Sequence, residues 1–353
     1  MKTSFAVLVL GVSLLWPPAQ VSESSLTISL LNRGNEPTTI LTDGDTVRLR
    51  AENSVPVVAD TVLAFSDAES AVTLADCTVP KGRSVCTSEL FPALGWYWNP
   101  GGVAMPERII TAQADGKETG TRLAVRVRPR PVVMVHGFNA DFHTFDTYLG
   151  PAGYLEEANL QGFAVGDGQV PGVMNTGSLS DPFARTNTIA ENASILAGYI
   201  DHVQEITGAE QVDLLVHSMG GIVTRALLER RVPQGLRRIV MLGTPNRGSH
   251  AARRLAPVLG TICPPLRELS DRGESLVHRL GEVAGIECGV IAARSDWVVA
   301  LDATRLASAV DHQTVPGAHS QLLFRRDVAE MTANFLRTGA FVVDAVVDAP
   351  RGV

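Results

Sequence analysis

The stretch DLLVHSMGGIVTR, residues 213–225, constrains the fold more than any other part of the 353-residue chain. An apolar run typical of a buried strand leads into Ser218, and a helix-like stretch follows at once. A serine at such a junction occupies a sharp turn with a strained backbone, and small residues are needed where strand and helix approach. Gly220 and Gly221 meet that need, so we expect Ser218 at the tip of a strand–turn–helix unit.

Val216 occupies the position, two residues before the serine, where such turns usually have glycine. A β-branched side chain is compatible with a strand. The valine therefore requires a small neighbour facing it but does not remove the turn. The alternative, in which Ser218 only caps an ordinary helix, stays open.

The pattern of predicted secondary structure changes at VRPRP, residues 127–131. Before this point about seven short β-branched runs are separated by turn signals, which favours an antiparallel β-sandwich over residues 25–128. After it, strands alternate with helices, which predicts a mainly parallel sheet flanked by helices over residues 131–340.

Within the first part, Trp96 and Trp98 of GWYWNPGG share one face of a predicted strand. We favour sandwich core for them, with an exposed aromatic platform for a polymer or sugar as the alternative.

Residues 1–22 have the pattern of a secretory signal peptide, because Lys2 precedes an apolar run too short to span a membrane comfortably. We expect cleavage near Ala19 to Ser24 and a secreted protein without a permanent membrane anchor; an uncleaved anchor is the alternative.

The net charge of −7 provides no general attraction to nucleic acid or anionic membranes. The apolar tail at residues 341–353 has no predicted function, and the oligomeric state is not predicted.

The chain has four cysteines, and an oxidising compartment favours their pairing. Three pairings are possible. We predict Cys77–Cys86 and Cys263–Cys288, because each bridge then stays within its own domain. No C-x-x-C spacing or histidine cluster supports a zinc site, and we predict no metal.

A serine hydroxyl becomes a nucleophile when a base takes its proton and an acid orients that base. After a strand–serine–helix turn of this kind, the acid precedes the base along the chain. His319 lies before the final helix and is our choice of base, whereas His312 begins a strand-like run and is the alternative. His217 should point away from the serine, since side chains alternate along a strand.

The acid should follow one of two late strands. The loop after RRIVMLG contains no carboxylate, so we choose Asp296 in SDWVV, with Asp302 as the fallback. The oxyanion requires two backbone N–H donors. We choose Met219, at the start of its helix, and Phe138, after the strand VVMVHG, with Asn139 as the alternative to Phe138.

The motifs VHGF, VHSMGG, LGTPNRGS, SDWVV and GAHSQL follow one another in this order within residues 131–337. With them the chain resembles the α/β-hydrolase lipases and esterases, in particular small secreted bacterial lipases. The resemblance implies an α/β-hydrolase fold, an ester or lipid substrate, an acyl-enzyme intermediate and no cofactor. It also implies specific roles, namely a triad and an oxyanion hole, for Ser218, Asp296, His319, Phe138 and Met219. The first domain resembles a bacterial immunoglobulin-like domain.

Fold alone does not determine the reaction, because this scaffold hosts many chemistries. A cutinase-like polyester hydrolase, a thioesterase or acyltransferase, and a surface-binding module with a relict hydrolase domain stay open as alternatives. The long loop Gln169–Thr186 and the helical stretch Ser249–Glu282 can shape the acyl site. For the second of these we favour packing helices over a lid.

Overall fold

The computed structural model describes residues 25–99, 101–178, 180–181 and 183–342. The predicted signal peptide and the tail beyond Val342 lie outside the described residues, so both remain predictions. Within the described part, no helix is long and apolar enough to cross a membrane.

In the described residues before Pro131, ten strands form two sheets. The strands are β1 (Leu26–Asn32), β2 (Pro37–Thr38), β3 (Ile40–Thr42), β4 (Thr46–Asn53), β5 (Thr61–Asp67), β6 (Thr73–Val79), β7 (Val85–Thr87), β8 (Phe91–Pro92), β9 (Glu107–Ala114) and β10 (Lys117–Arg128). One sheet has the order β2-β1-β4-β7, with β8 also paired to β4, and the other has the order β3-β10-β9-β5-β6. The pairs are antiparallel except β3 with β10.

The two sheets pack because their strands alternate between apolar and polar side chains. In β4, Val47, Leu49 and Ala51 are buried, and they belong to the same buried cluster as Leu63 and Phe65 of β5 in the other sheet. One face of each sheet is thereby removed from water. Five of the short β-branched runs counted above form β1, β4, β5, β9 and β10; their sequences are LTISLL, TVRLRAE, TVLAFS, RIITAQA and RLAVRVR.

The second part of the described chain alternates strands and helices, as predicted. Its strands are β11 (Pro131–Val135), β12 (Gln161–Ala164), β13 (Val212–His217), β14 (Leu236–Leu242), β15 (Glu287–Ala293) and β16 (Asp311–Val315). Its α-helices are α1 (Tyr154–Glu157), α2 (Ile189–Thr207), α3 (Met219–Arg230), α4 (His250–Leu259), α5 (Pro265–Glu268), α6 (Leu276–Arg279) and α7 (Arg326–Thr338). Short 3₁₀ turns cover Phe142–Phe145, Leu301–Thr304 and His319–Leu323.

The six strands form one parallel sheet of order β12-β11-β13-β14-β15-β16. Both faces of the central strands β11, β13, β14 and β15 are buried, which explains why these four strands are largely apolar. Val135 and Val216 lie in the cluster that holds α2 and α3, whereas Met134 and Leu215 lie in the cluster that holds α7. The candidate site lies at the carboxyl ends of the parallel strands.

The two parts meet at a buried ionic cluster centred on Arg130. Its guanidinium pairs with Asp43 of the first part and, through Nε at 3.0 Å, with Asp213 at the base of β13. It also donates to the carbonyl of Leu336 in α7 at 3.0 Å. Burial opposes the charge on Arg130, but the two carboxylates outweigh it and raise the pKa of the guanidinium. The parts are therefore joined by charged groups that cannot be separated without leaving buried charges unpaired.

The aromatic stretch lies at the same junction. Trp96, Tyr97 and Trp98 are each 7 to 8% exposed, so the core interpretation is confirmed and the exposed platform is wrong. The Trp98 ring lies 4.5 Å from Cζ of Arg337 in α7, a cation–π contact between the two parts. The backbone here is mostly turn and not the strand that we predicted.

One predicted disulfide is present and the other is wrong. Cys77 in β6 is bonded to Cys86 in β7, which links the two sheets of the sandwich. Cys263 and Cys288 are both free thiols. Cys288 is buried near the amino end of β15, where burial raises its pKa to about 12, while Cys263 follows α4 and its amide donates to Leu259. Location in the same domain was therefore not sufficient to pair them, since Cys263 lies between α4 and α5 and Cys288 lies in β15.

We expect Arg130→Leu to lower the free energy of unfolding by about 3–5 kcal/mol, because it leaves two buried carboxylates without their cation. The matched control is Arg33→Ala, which removes an arginine 3.9 Å from Glu210 whose side chain is 60% exposed. An exposed pair of this kind contributes less than about 1 kcal/mol. Urea denaturation of the three proteins measures both changes. Equal stability of Arg130→Leu and wild type would show that the cluster does not hold the two parts together.

Candidate active site

Three predicted site residues come together at the carboxyl ends of the parallel strands. Ser218 follows β13, Asp296 follows β15 and His319 follows β16. Oγ of Ser218 lies 2.8 Å from Nε2 of His319, and Nδ1 of the same ring lies 2.6 Å from Oδ2 of Asp296. The three side chains form one hydrogen-bonded row, in which the imidazole contacts the hydroxyl with one nitrogen and the carboxylate with the other.

The backbone at Ser218 has the strained geometry expected of the turn. Its φ is 54° and its ψ is −125°, a conformation that a side-chain-bearing residue rarely adopts. Such a residue costs on the order of 1–3 kcal/mol and persists only when its surroundings hold it. The Ser218 amide donates to the carbonyl of Leu242 in β14 at 2.8 Å, which fixes the turn against the neighbouring strand.

Three glycines make the close approach around Ser218 possible. A Cβ atom at Gly220 would lie 2.3 Å from the Val135 carbonyl oxygen, and one at Gly221 would lie 2.2 Å from Oγ1 of Thr244. A Cβ atom at Gly137 would lie 2.9 Å from Cβ of Ser218. Both helix glycines thus press against residues outside β13. This explains how β13 itself carries a valine two residues before the serine.

Val216 is fully buried in β13, in the same cluster as Met219 and Ile222 of α3. It therefore packs between strand and helix without removing the turn. The small residues that the approach requires lie on the helix side and in the loop after β11.

The carboxylate of Asp296 is held in one orientation. Its Oδ1 accepts hydrogen bonds from the amides of Val298 and Val299, both at 2.8 Å, which leaves Oδ2 for His319. Its side chain is 1% exposed, so the bond to the imidazole is shielded from water. A charged hydrogen bond in such surroundings is stronger than one in solvent.

The two alternative residues lie elsewhere. His312 lies in β16 with its Nε2 3.2 Å from Oγ1 of Thr304. Asp302 pairs with Arg305 at 3.4 Å, and its side chain is 87% exposed. The structure places neither of them in contact with Ser218.

His217 contacts the site in a way that sequence reasoning missed. Its ring centroid lies 4.9 Å from that of His319. Burial, with a further contribution from His319, lowers the pKa of His217 to about 3, so the ring is neutral at neutral pH. Neither of its nitrogens has a hydrogen-bond partner among the residues that the structure describes. Alternation along β13 turns it away from Ser218, but the same alternation turns it toward the face on which His319 lies.

Two backbone amides are free at the position predicted for the oxyanion. In the described part of the chain, neither Phe138 N nor Met219 N donates to a protein acceptor. Asn139 N, by contrast, donates to the carbonyl of Thr176 at 2.9 Å. The hydrogen bonds therefore favour Phe138 over the alternative Asn139.

The helical stretch after β14 is tied to α3 near both of its ends. The buried guanidinium of Arg225 donates to the carbonyls of Asn246 at 2.9 Å, Leu280 at 2.9 Å and Gly281 at 3.1 Å. Leu255 and Val258 of α4 are nevertheless exposed. The ends of this stretch are anchored, which agrees with packing helices better than with a freely hinged lid.

In the residues that the structure describes, no group of three or more His, Cys, Asp or Glu side chains is arranged to hold a metal ion.

Comparison with known proteins adds the family context. Residues 130–262 match the family model of the alpha/beta hydrolase fold. Two triacylglycerol lipases, from Pseudarthrobacter phenanthrenivorans and Burkholderia plantarii, are each 30% identical over 141 residues, or 37% of this chain. The matched region spans 38% and 34% of those proteins, so only about a third of their length is compared.

Two solved structures are similar to this chain at low sequence identity. A lipase from Bacillus licheniformis is 17% identical, with a TM-score of 0.46 over 60% of this chain and 92% of its own. A serine hydrolase from Cycloclasticus zankles is 14% identical, with a TM-score of 0.41 over 65% of this chain and 94% of its own. The region that matches the alpha/beta hydrolase fold, residues 130–262, contains strands β11 to β14 of the parallel sheet described above.

Proposed function

We propose that the protein hydrolyses carboxylic esters through an acyl-enzyme intermediate. The observation that carries this proposal is the hydrogen-bonded row of Ser218, His319 and Asp296. The amides of Phe138 and Met219 also donate to no protein acceptor within the part of the chain that the structure describes. A nucleophile, a base, an orienting acid and oxyanion donors are the parts that acyl transfer requires. The similarity to triacylglycerol lipases over 37% of the chain supports ester substrates and does not extend to the choice of acyl chain.

In the proposed first half-reaction, Ser218 Oγ attacks the ester carbonyl carbon while its proton passes to Nε2 of His319. The carboxylate of Asp296 stabilises the resulting imidazolium. The amides of Phe138 and Met219 donate to the oxyanion of the tetrahedral intermediate, and the position of Met219 at a helix amino terminus adds a favourable dipole. The carbon–oxygen bond to the alcohol then breaks, and His319 returns the proton to the leaving alkoxide.

In the second half-reaction, water replaces the alcohol. His319 takes a proton from the water as it attacks the acyl carbon, and the same two amides hold the second oxyanion. Collapse of this intermediate breaks the bond to Ser218 Oγ, which recovers its proton from His319. The products are a carboxylic acid and free enzyme.

Of the alternative functions, action on solid polyester was tied to an exposed aromatic platform. The burial of Trp96 and Trp98 removes that support. Transfer to an alcohol acceptor uses the same residues, and added alcohols distinguish it from hydrolysis by the new ester that they yield. A relict site would leave Ser218 unreactive toward a fluorophosphonate.

We also propose that the chain is exported and that its first domain is immunoglobulin-like. The packing of two sheets and the bridge Cys77–Cys86 support this, since such bonds persist in oxidising compartments. Amino-terminal sequencing of the protein from the culture medium tests the export. We expect a first residue between Ala19 and Ser24, and a chain retained in the cell with Met1 intact would contradict a cleaved signal peptide.

We expect Ser218→Ala, His319→Ala and Asp296→Asn each to lower kcat for p-nitrophenyl esters by roughly 10³-fold or more. The double variant Ser218→Ala/His319→Ala should be little worse than either single variant, because the three residues act as a unit. A series of esters from acetate to palmitate, run on each protein, also defines the preferred acyl length.

The control for this series is Ser194→Ala, which removes an exposed serine hydroxyl from α2 and should keep the wild-type kcat. Full activity in His319→Ala would contradict the assignment of His319 as the base. Full activity in Ser218→Ala would sink the proposed function itself.

A further inference from the structure

Thr176 lies in the long segment between β12 and α2 and touches the loop that carries Phe138. Its hydroxyl donates to the carbonyl of Ala140 at 2.8 Å, and its own carbonyl accepts from the amide of Asn139 at 2.9 Å. Thr176 is 1% exposed, so both bonds are shielded from water. One residue thus holds the loop at two consecutive positions directly after Phe138.

A histidine adds a third point of contact. Oγ1 of Thr176 lies 3.4 Å from Nδ1 of His136, which also lies 3.3 Å from the carbonyl of Gly137. Because the hydroxyl proton is committed to Ala140, the tautomer that suits both contacts carries its proton on Nδ1. Burial lowers the pKa of His136, which keeps this ring neutral. The threonine therefore joins the start and the end of the loop at residues 136–140.

The loop needs such support, because its backbone is not relaxed. Asn139 has a φ of 50°, in the left-handed region that few side-chain-bearing residues adopt. Thr176 occupies the Asn139 amide, while the amide of Phe138 remains without a protein acceptor in the described residues. A loop that relaxed this φ would rotate the two peptide planes that meet at Asn139, and the plane that carries the Phe138 amide adjoins the first of them.

The segment that carries Thr176 is itself fixed. Nδ2 of Asn175 donates to the carbonyl of Arg185 at 2.9 Å, and the carbonyl of Asn175 accepts from Asn187 N at 3.0 Å. Gly177 has a φ of 97°, and a Cβ atom there would lie 2.3 Å from Oδ1 of Asn139. Thr176 is thus held between an anchored residue and a glycine that leaves room for the loop.

We propose that Thr176 is a positioning residue for the oxyanion hole, which it serves by fixing the peptide plane of Phe138. The inference rests on the proposed function, since it concerns the same site. Thr176 touches no reacting atom and acts through the loop. Its contribution should therefore appear in the transition state, where the oxyanion forms, and not in binding of the ester.

The test compares Thr176→Val, which keeps the branched shape without the hydroxyl, with Thr176→Ser, which keeps the hydroxyl. Loss of one oxyanion donor costs about 10²–10³-fold in kcat, so a displaced donor should cost roughly 10–10²-fold. We expect that loss in Thr176→Val with KM changed by less than about twofold, and a kcat within about threefold of wild type in Thr176→Ser. The affinity for an alkylboronic acid, which forms a tetrahedral adduct, should fall in parallel with kcat in Thr176→Val only.

Thr332→Val is the matched control, since it removes the hydroxyl of another fully buried threonine, on α7. It should keep the wild-type kcat. Gly177→Ala provides a second route to the same loop if Thr176→Val does not fold. Its φ of 97° is unfavourable for a residue with a side chain, and the added methyl group meets Oδ1 of Asn139, so the backbone at residue 177 has to shift. This variant too should lower kcat with little change in KM.

Wild-type kcat in a folded Thr176→Val or Gly177→Ala would overturn the inference, and so would an equal loss in Thr176→Ser. A wild-type enzyme without ester hydrolysis and without fluorophosphonate labelling of Ser218 would instead overturn the proposed function, and this inference with it.

Discussion

The close approach of strand, helix and loop around Ser218 is the constraint on which the rest of the site depends. Gly220 leaves no space for a side chain against the carbonyl of Val135, and Gly137 leaves none against Ser218 itself. The positive φ of the serine is stable only because these neighbours and the bond to Leu242 enclose it. The strain is useful, since it directs the hydroxyl out of the turn toward His319 and leaves the next amide, that of Met219, at an open helix end.

One end of the parallel sheet contacts the first domain, and the opposite end carries the candidate site. At the base, Arg130 ties β11, β13 and α7 to the first domain through groups that water does not reach. At the opposite end, the same two strands lead into the loop with Phe138 and the turn with Ser218. Because strands buried on both faces behave as rigid connections, the cluster at the base limits movement of the two segments that build the site.

Much of the fold could be predicted, because the periodicity of apolar residues indicates where the strands and helices lie. The grouping of Ser218, Asp296 and His319 could be predicted as well, because functional side chains in such sheets follow the carboxyl ends of the strands. Contacts between distant segments could not. Arg130 lies 87 residues from Asp43 in sequence, and Thr176 lies 36 residues from Ala140. Alternation along the strand predicts on which face His217 lies, but it does not predict that His319 is its neighbour there. The positions of Cys263 and Cys288 in the sequence likewise do not show which elements separate them in the fold. The roles of the site residues stay a proposal.

We attribute the nucleophilic reactivity proposed for Ser218 to the close approach of strand, helix and loop at the turn. The second-order rate constant for fluorophosphonate labelling of Ser218 tests it most directly, in wild type, Gly220→Ala and Gly198→Ala. An added methyl at Gly198, in α2, meets nothing within 4 Å, so this variant should react at the wild-type rate. In Gly220→Ala the methyl displaces the turn, and a shift near 1 Å should slow labelling by roughly 10²-fold. Labelling of a folded Gly220→Ala protein at the wild-type rate would show that the close approach at the turn does not determine the reactivity of Ser218.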